Sequence, residues 1–568
     1  MQRIKLLSIF FLLAFMGVIA RLFYWQIIKS EDLSAQASEQ YQASNVIQAP
    51  RGNIFASDGT WLAARTTSYL VYAALPEIKG NKQQIADKLA PFFVEDSEDK
   101  TQLLNEVGRI YSLLNKNDVV WVPLKKQIKP DIKKQIESME IAGIGFEKEE
   151  ARAYPEASVA AQLLGFVGKN DIGENVGYFG LEGNYNLPLS GKPGFSEHEK
   201  DAAGTPLVFG ENQEVSAISG TDLITHIDKT IQIAVDQKLK DGIEKYGATA
   251  GTAIVMRPSD GAILAMSSYP SYDPSSYSKF TYDLFKNPAI SDAFEPGSVF
   301  KTVVMASALD AGVIDSDTKC ECSGPVKIDK YSIETWDHQY HPDSTMSDVI
   351  KHSDNVGMVF VGERLGLDKL YDYIKAFGFG TPTGIDLQGE ASPALRDKGK
   401  WGLIDLATAT FGQGIAVTPI QMVTAISTIA NHGNLVEPQV VDKLSSDGWE
   451  EDLPQAQPKR VISKEAADKI TAMMIDAAKN GEAKWTSLRG FSVAGKTGTA
   501  QIPISGHYDA EKTIASFVGF APADDPQFVM LVTLKEPKTS TWASETAAPL
   551  WYSIAKDIFM HLGIQPEN

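Results

Sequence analysis

The feature that most limits what this chain can fold into lies at its N-terminus. Residues 6–20 are apolar, broken only by the small residues Ser8 and Gly17, and Arg3 and Lys5 precede them. Past Arg21 the apolar character resumes with Leu22, Phe23, Tyr24, Trp25, Ile27 and Ile28. About 20 such residues in a helix span a bilayer, an arginine near the helix end reaches the interface along its long stem, and aromatic rings gather at that level. Basic residues ahead of the helix place that flank in the cytoplasm. The reading is a single-pass anchor in the cytoplasmic membrane over residues 1–30. The competing reading is a cleaved signal peptide, for which Val18-Ile19-Ala20 offers a small-residue site. No second comparable run follows, so the rest of the chain is expected on the periplasmic or extracellular side, where ATP is absent.

At 568 residues the chain is too long for one compact core. With 43% hydrophobic and 22% charged residues it reads as globular, which excludes a disordered, collagen-like or polytopic membrane protein. The 53 basic against 72 acidic residues leave a net charge of −19, which repels a phosphate backbone and excludes nucleic acid as a partner. Cys320 and Cys322 provide neither a disulfide framework nor a zinc ligand set. The pair reads as two packed or free thiols in preference to a strained local disulfide.

Texture divides the remainder. Residues 31–220 are polar and turn-rich, with strand-like pieces such as residues 70–73 and a charged, helix-biased stretch over residues 125–150; this part reads as a support. Residues 187–221 hold Gly191, Pro193, Gly194, Gly204, Pro206, Gly210 and Gly220, which mark a linker or a loose hairpin and place the main boundary there. Beyond it, Ile231, Val235 and Leu239 fall on one helical face. The apolar runs 252–256 and 262–266 flank a turn, residues 516–520 and 528–534 form a second hairpin, and residues 550–560 close the chain as a helix. Helices beside antiparallel strands predict an α+β domain over residues 221–568.

Three clusters carry chemistry. In Glu295-Pro296-Gly297-Ser298-Val299-Phe300-Lys301 the Pro-Gly ends a loop and a helix follows, so Ser298 sits at a helix start with Lys301 one turn along the same face. In a desolvated pocket Lys301 loses its proton and serves as base to the Ser298 hydroxyl. Ser353-Asp354-Asn355 falls between two apolar-periodic stretches, in a short interhelical connection where a hydroxyl and a carboxamide can pass a proton and hold a carbonyl. Lys496-Thr497-Gly498-Thr499 follows a strand-like segment and offers a cation and a hydroxyl to a carboxylate. Taken alone, each cluster is also an ordinary cap or turn. Residues 490–497 match the phosphate-binding loop pattern letter for letter. However, Gly498, Pro503 and Gly506 break any helix after it, and polar residues 483–489 replace the strand that should precede it.

In this order and spacing, Ser298-x-x-Lys301, Ser353-Asp354-Asn355 and Lys496-Thr497-Gly498 resemble the motif set of the penicillin-binding proteins and serine β-lactamases. The likeness covers nearly the whole chain. Ala49-Pro50-Arg51-Gly52-Asn53-Ile54 with Asp58-Gly59 and Leu62-Ala63, and Gly180-Leu181-Glu182 with Leu189-Ser190-Gly191, are similar to the pedestal of class B penicillin-binding proteins, where turns and domain contacts are their expected roles. Phe411-Gly412-Gln413-Gly414 with Thr418-Pro419-Ile420-Gln421 resembles a stretch of their transpeptidase domain.

The resemblance implies an N-terminal transmembrane helix, an elongated β-rich pedestal of the dimerisation type over residues 31–220, and a penicillin-binding transpeptidase domain over residues 221–568. It implies acyl transfer without metal or organic cofactor. Ser298 attacks a D-Ala-D-Ala stem peptide, Lys301 takes its proton, Ser353 relays one to the leaving amine, and Asn355 holds the substrate amide and steadies Lys301. Lys496 and Thr497 bind the terminal carboxylate, Gly498 lets the backbone approach, and the amides of Ser298 and Thr499 form the oxyanion hole. β-Lactams acylate Ser298 by imitating the donor. Length argues against a β-lactamase, and a single anchor argues against a β-lactam sensor. The implied partners are a separate SEDS-type membrane glycan polymerase and divisome proteins, since Ser353-Asp354-Asn355 is nearer the septal type; an elongation-specific enzyme is the alternative.

Overall fold

A computed structural model of the chain describes residues 2–33, 42–171, 173–199, 212–504 and 507–566. The apolar N-terminus is helical as expected. Gln2–Phe23 is an α-helix, Tyr24–Ile28 continues it as a π turn, and the 26-residue span Arg3–Ile28 is long and apolar enough to cross a membrane.

The chain forms two compact units: Met1–Arg51 with Ser190–Gly220, and Gly52–Leu189 with Thr221–Asn568. In the first, Gln42–Ile47 pairs antiparallel with Gly194–Glu199, which pairs in turn with Asn212–Val215. The Gly- and Pro-rich stretch therefore contributes paired strands at its two ends, while Gly204, Pro206 and Gly210 lie outside the described residues, as does Gly506.

In the second unit, the 14-residue strand Trp61–Ala74 pairs antiparallel with both Trp121–Ile128 and Ile144–Ala153. Helices Lys82–Leu89, Lys100–Leu114 and Pro130–Glu137 close a core with it around Val71, Leu89, Ile110, Leu114 and Leu124. The stretch 125–150 is thus helical only over Pro130–Glu137. Glu140 takes a positive φ and Gly143 follows, so the helix stops, and the charged run 147–150 lies on the strand Ile144–Ala153, its side chains alternating between the two faces. The same sheet continues through Ile54–Phe55 to Asp222–Thr225 and Val441–Ser446, so strands far apart in sequence share one ladder.

Gly52 and Glu182, from two separate sequence clusters, meet at Arg152, which forms a buried ion pair with Glu182. Arg152 Nε donates to Glu182 Oε1 at 2.6 Å and Arg152 Nη1 to the Gly52 carbonyl at 2.7 Å, with Glu182 fully buried. Removing one partner leaves the other charged and buried, so Glu182→Ala is expected to cost about 3 kcal/mol or more in chemical unfolding.

The remainder of the unit is a three-layer arrangement. Its sheet has strands β1 (Ala250–Met256), β2 (Ile263–Tyr269), β3 (Ala494–Ile504), β4 (His507–Ala521) and β5 (Phe528–Lys535), in the spatial order β2-β1-β5-β4-β3, all antiparallel. Both faces are buried. With a period of two, Ala253, Val255, Phe517, Met530 and Val532 pack against α1 (Lys229–Tyr246) and, near the C-terminus, the helix Ala547–Leu562. Ile254, Met256, Val518, Val529 and Leu531 face the opposite layer. That layer contains α2 (Lys301–Asp310), α3 (Met346–Lys351), α4 (Asn355–Leu365), α5 (Pro419–Ala430) and α6 (Lys464–Asn480); the C-terminal helix on the first face is α7. The expected hairpins and flanking helices are all present, which is the α+β class.

The cysteine expectation is corrected: Cys320 and Cys322 form a disulfide, with Cα atoms 5.3 Å apart. That separation lies within the usual span of a disulfide. Both residues are buried, and Cys320 is held where Lys319–Cys320 pairs with Ser344–Thr345 just ahead of α3.

Candidate active site

Three elements bring the sequence clusters together. Ser298 lies in a 3₁₀ turn, Gly297–Phe300, that runs directly into α2, whose first residue is Lys301. The turn is fixed from below: Gly297 N donates to Gly412 O at 3.0 Å and Gly414 N to Glu295 Oε1 at 3.1 Å. The Phe411-Gly412-Gln413-Gly414 stretch therefore buttresses the serine turn. Ser353 sits with positive φ between α3 and α4, and Asp354 caps α4 by accepting from Val356 N at 2.7 Å and Gly357 N at 3.2 Å. The cap orients Asn355, the first residue of α4.

Lys496, Thr497, Gly498 and Thr499 lie on β3, the edge strand beside the Ser298 turn. No helix follows Gly495, so the phosphate-loop pattern has no structural counterpart. Gly498 is required by close approach. A Cβ there would lie 2.6 Å from Ser516 Oγ, 2.8 Å from Val299 Cγ1 and 3.1 Å from Pro296 O. Gly498→Val is expected to push β3 away from the serine and slow acylation about a hundredfold in time-resolved labelling, since displacements near 1 Å have effects of that size.

Ser298, Ser353, Asn355, Thr497 and Thr499 line one cleft. Lys301 is fully buried behind it. Its Nζ donates to the Ser353 carbonyl, to Ser353 Oγ at 3.3 Å and to Asn355 Oδ1 at 2.7 Å, while Asn355 Nδ2 donates to Glu334 O at 3.0 Å. Lys496 Nζ, also buried, donates to Ser353 Oγ at 3.0 Å and to Thr497 Oγ1 at 3.1 Å. The expected bond from Lys301 to the Ser298 hydroxyl is absent among the described residues. An ammonium has three protons, and all three are directed at the Ser353 and Asn355 acceptors. Deprotonation frees a lone pair, and the surroundings favour it. Burial, and then the charge of Lys496, pull the Lys301 amine down to about 7, against the opposing pull of Glu482 and Asp354. Burial lowers Lys496 as well, opposed by Glu482.

The cleft also holds residues the sequence did not single out. Trp336 and Trp542 meet edge to face with ring centroids 5.1 Å apart, and Trp336 Nε1 donates to His352 O at 3.2 Å. Glu482 accepts from Thr497 Oγ1 at 2.8 Å. Phe411 and Gln413, from the stretch that buttresses the serine turn, line the cleft beside them.

A serine turn, a buried amine lowered towards neutrality and a second buried lysine on an edge strand thus share one cleft. Residues 251–559 match the family profile described as the penicillin-binding protein transpeptidase domain, and residues 46–225 match that of the penicillin-binding protein dimerisation domain. Stage V sporulation protein D of Bacillus subtilis is 31% identical over 574 residues, covering 100% of this chain and 87% of that protein. Peptidoglycan D,D-transpeptidase FtsI of Buchnera aphidicola is 30% identical over 552 residues, covering 96% and 93%. Among solved structures, penicillin-binding protein 2X of Streptococcus thermophilus superposes with a TM-score of 0.74 at 24% identity, covering 92% of this chain and 80% of that one. Penicillin-binding protein 3 of Mycobacterium tuberculosis, solved with aztreonam, gives 0.70 at 24% identity, covering 92% and 98%. The chain belongs to the penicillin-binding protein transpeptidases, in the class B group that joins a dimerisation domain to the transpeptidase domain.

Proposed function

We propose that the protein cross-links peptidoglycan as a serine D,D-transpeptidase, with residues 1–30 as its anchor, 31–220 as its pedestal and 221–568 as its catalytic domain. The observation that carries this reading is the convergence of all three motifs on one cleft, with Lys301 buried between Ser353 and Asn355. Ser298 Oγ adds to the penultimate D-Ala carbonyl while its proton passes to neutral Lys301. The backbone amides of Ser298 and Thr499 receive the oxyanion. As the C–N bond breaks, Ser353 hands a proton to the departing D-Ala amine, replenished from Lys301, and an ester on Ser298 remains. An amine from a neighbouring stem then attacks the ester and loses its proton to the regenerated base, which returns it to Ser298 Oγ as the ester C–O bond breaks and the new amide forms. Lys496 and Thr497 hold the donor's terminal carboxylate, with Gly498 keeping β3 close. A β-lactam follows the same first step and remains attached.

The protein acts in septal wall synthesis, from a single-pass anchor with its catalytic domain outside the cytoplasmic membrane, beside a SEDS-type glycan polymerase and divisome proteins. The Ser353-Asp354-Asn355 motif and the FtsI relative support this reading. Full-length protein in detergent, given a D-Ala-D-Ala stem peptide and excess free D-amino acid, is expected to release D-Ala and form the exchanged peptide. Release of D-Ala without amine-dependent product would mark a hydrolase instead. Depletion in the source cell is expected to produce filaments, with a fluorescent fusion at midcell; rounded cells and lateral signal would point to elongation.

A further inference from the structure

The hydrogen-bonded chain of this site does not stop at the three motifs. It runs from Lys301 Nζ to Ser353 Oγ at 3.3 Å, from Lys496 Nζ to that same oxygen at 3.0 Å, from Lys496 Nζ to Thr497 Oγ1 at 3.1 Å, and from Thr497 Oγ1 to Glu482 Oε2 at 2.8 Å. Glu482 stands just past the end of α6, half-buried, on the wall of the cleft that holds Ser298. A hydroxyl has one proton to give. Thr497 gives it to Glu482 and presents a lone pair to Lys496, so the carboxylate fixes the direction of the chain.

The charges that act on the two amines are Glu482 on both of them and, on Lys301 alone, Lys496 on β3 and Asp354 at the head of α4. Two buried amines share the Ser353 hydroxyl and repel one another. Asp354 spends one oxygen on the N–H groups of Val356 and Gly357. Glu482 is one hydroxyl away from Lys496 but two hydroxyls and a lysine away from Lys301, so its stabilisation of a positive charge is greater at Lys496.

We propose that Glu482 is a positioning residue for acylation: through the Thr497 hydroxyl it supplies the counter-charge that keeps Lys496 cationic towards a ligand carboxylate, leaving Lys301 as the neutral base. The proposal rests on the acyl-transfer reading above and adds to it a division of labour between the two lysines.

The test uses full-length protein in detergent and second-order acylation rates for benzylpenicillin and its methyl ester between pH 5.5 and 9.5, in the parent, Glu482→Gln and Glu482→Asp. Removing the negative charge favours the neutral form of both amines. The Glu482→Gln profile, which reports Lys301, is expected to move towards acid by less than the change at Lys496. Above pH 8 its preference for the acid over the ester is expected to fall about tenfold, a shift worth about one pKa unit at a single cation, and Glu482→Asp is expected to restore much of that preference. An equal loss for both ligands at every pH would reduce Glu482 to a structural role, and an unmoved profile with unchanged preference would overturn the proposal. A parent enzyme that is never acylated would sink the acyl-transfer reading itself.

Discussion

Ser298→Ala in the full-length protein is expected to abolish covalent labelling by a fluorescent penicillin, with no adduct by intact mass after prolonged incubation. The effect is all or none because the bond that forms is to the deleted oxygen; a general base or oxyanion donor alters only a rate, typically by 10²–10⁴-fold. The fold should not notice the change. Ser298 is half-buried, and its hydroxyl makes no hydrogen bond among the described residues, so unfolding should shift by no more than about 0.5 kcal/mol. Reversible binding of the drug should persist, because Lys496, Thr497 and Asn355 remain. An adduct surviving in Ser298→Ala would move the nucleophile to another hydroxyl of the cleft, with Ser353 first among them.

Much of the site could be read from the sequence because its parts are local. Ser298 and Lys301 lie one helical turn apart, Ser353 and Asn355 flank a capping Asp354, and Lys496 to Thr499 share one strand. The hairpins of the central sheet were equally visible, since each pairs neighbouring segments with apolar runs of the right length. Glu482, Trp336 and Trp542 are not visible, because each reaches the cleft from a connection whose course depends on the packing of α6, α3 or β5. No periodicity or spacing marks them. The stretch 125–150 reads as helical for a different reason: a charged run on an exposed strand has the same composition as charge on a solvated helix, and only Gly143 and the turn at Glu140 separate the two. The disulfide is not legible because a Cys-x-Cys spacing does not by itself reveal whether the backbone bends enough to bring the thiols together, as it does here with Cys322 at positive φ.

Lys301→Met is expected to lower the acylation rate by about a thousandfold while the protein still folds, and the parent enzyme should show why through its pH dependence. The base must be neutral to accept the Ser298 proton, and Lys301 is brought down to about 7. The acylation rate should therefore rise tenfold per pH unit below that value and level off above it. An ordinary lysine, near 10.4, would keep the rate climbing to much higher pH. Stability has the matching sign. Between the folded value and the unfolded one, the unfolded chain binds the extra proton, so Lys301 contributes a stability that increases with pH across that window and is at its lowest below about 7. Methionine removes the cost of burying an amine but strips a donor from Asn355 Oδ1 and the Ser353 carbonyl. These opposed effects, each about 1–3 kcal/mol, leave Lys301→Met close to the parent in unfolding. Lys301→Arg separates charge from basicity. It keeps a cation among the same acceptors but cannot give up its proton, so it should be as slow as Met at every pH. If Lys301→Arg instead retained a pH-dependent rate within tenfold of the parent, the proton of Ser298 would be leaving through Ser353 to Lys496, and the roles of the two lysines would have to be exchanged.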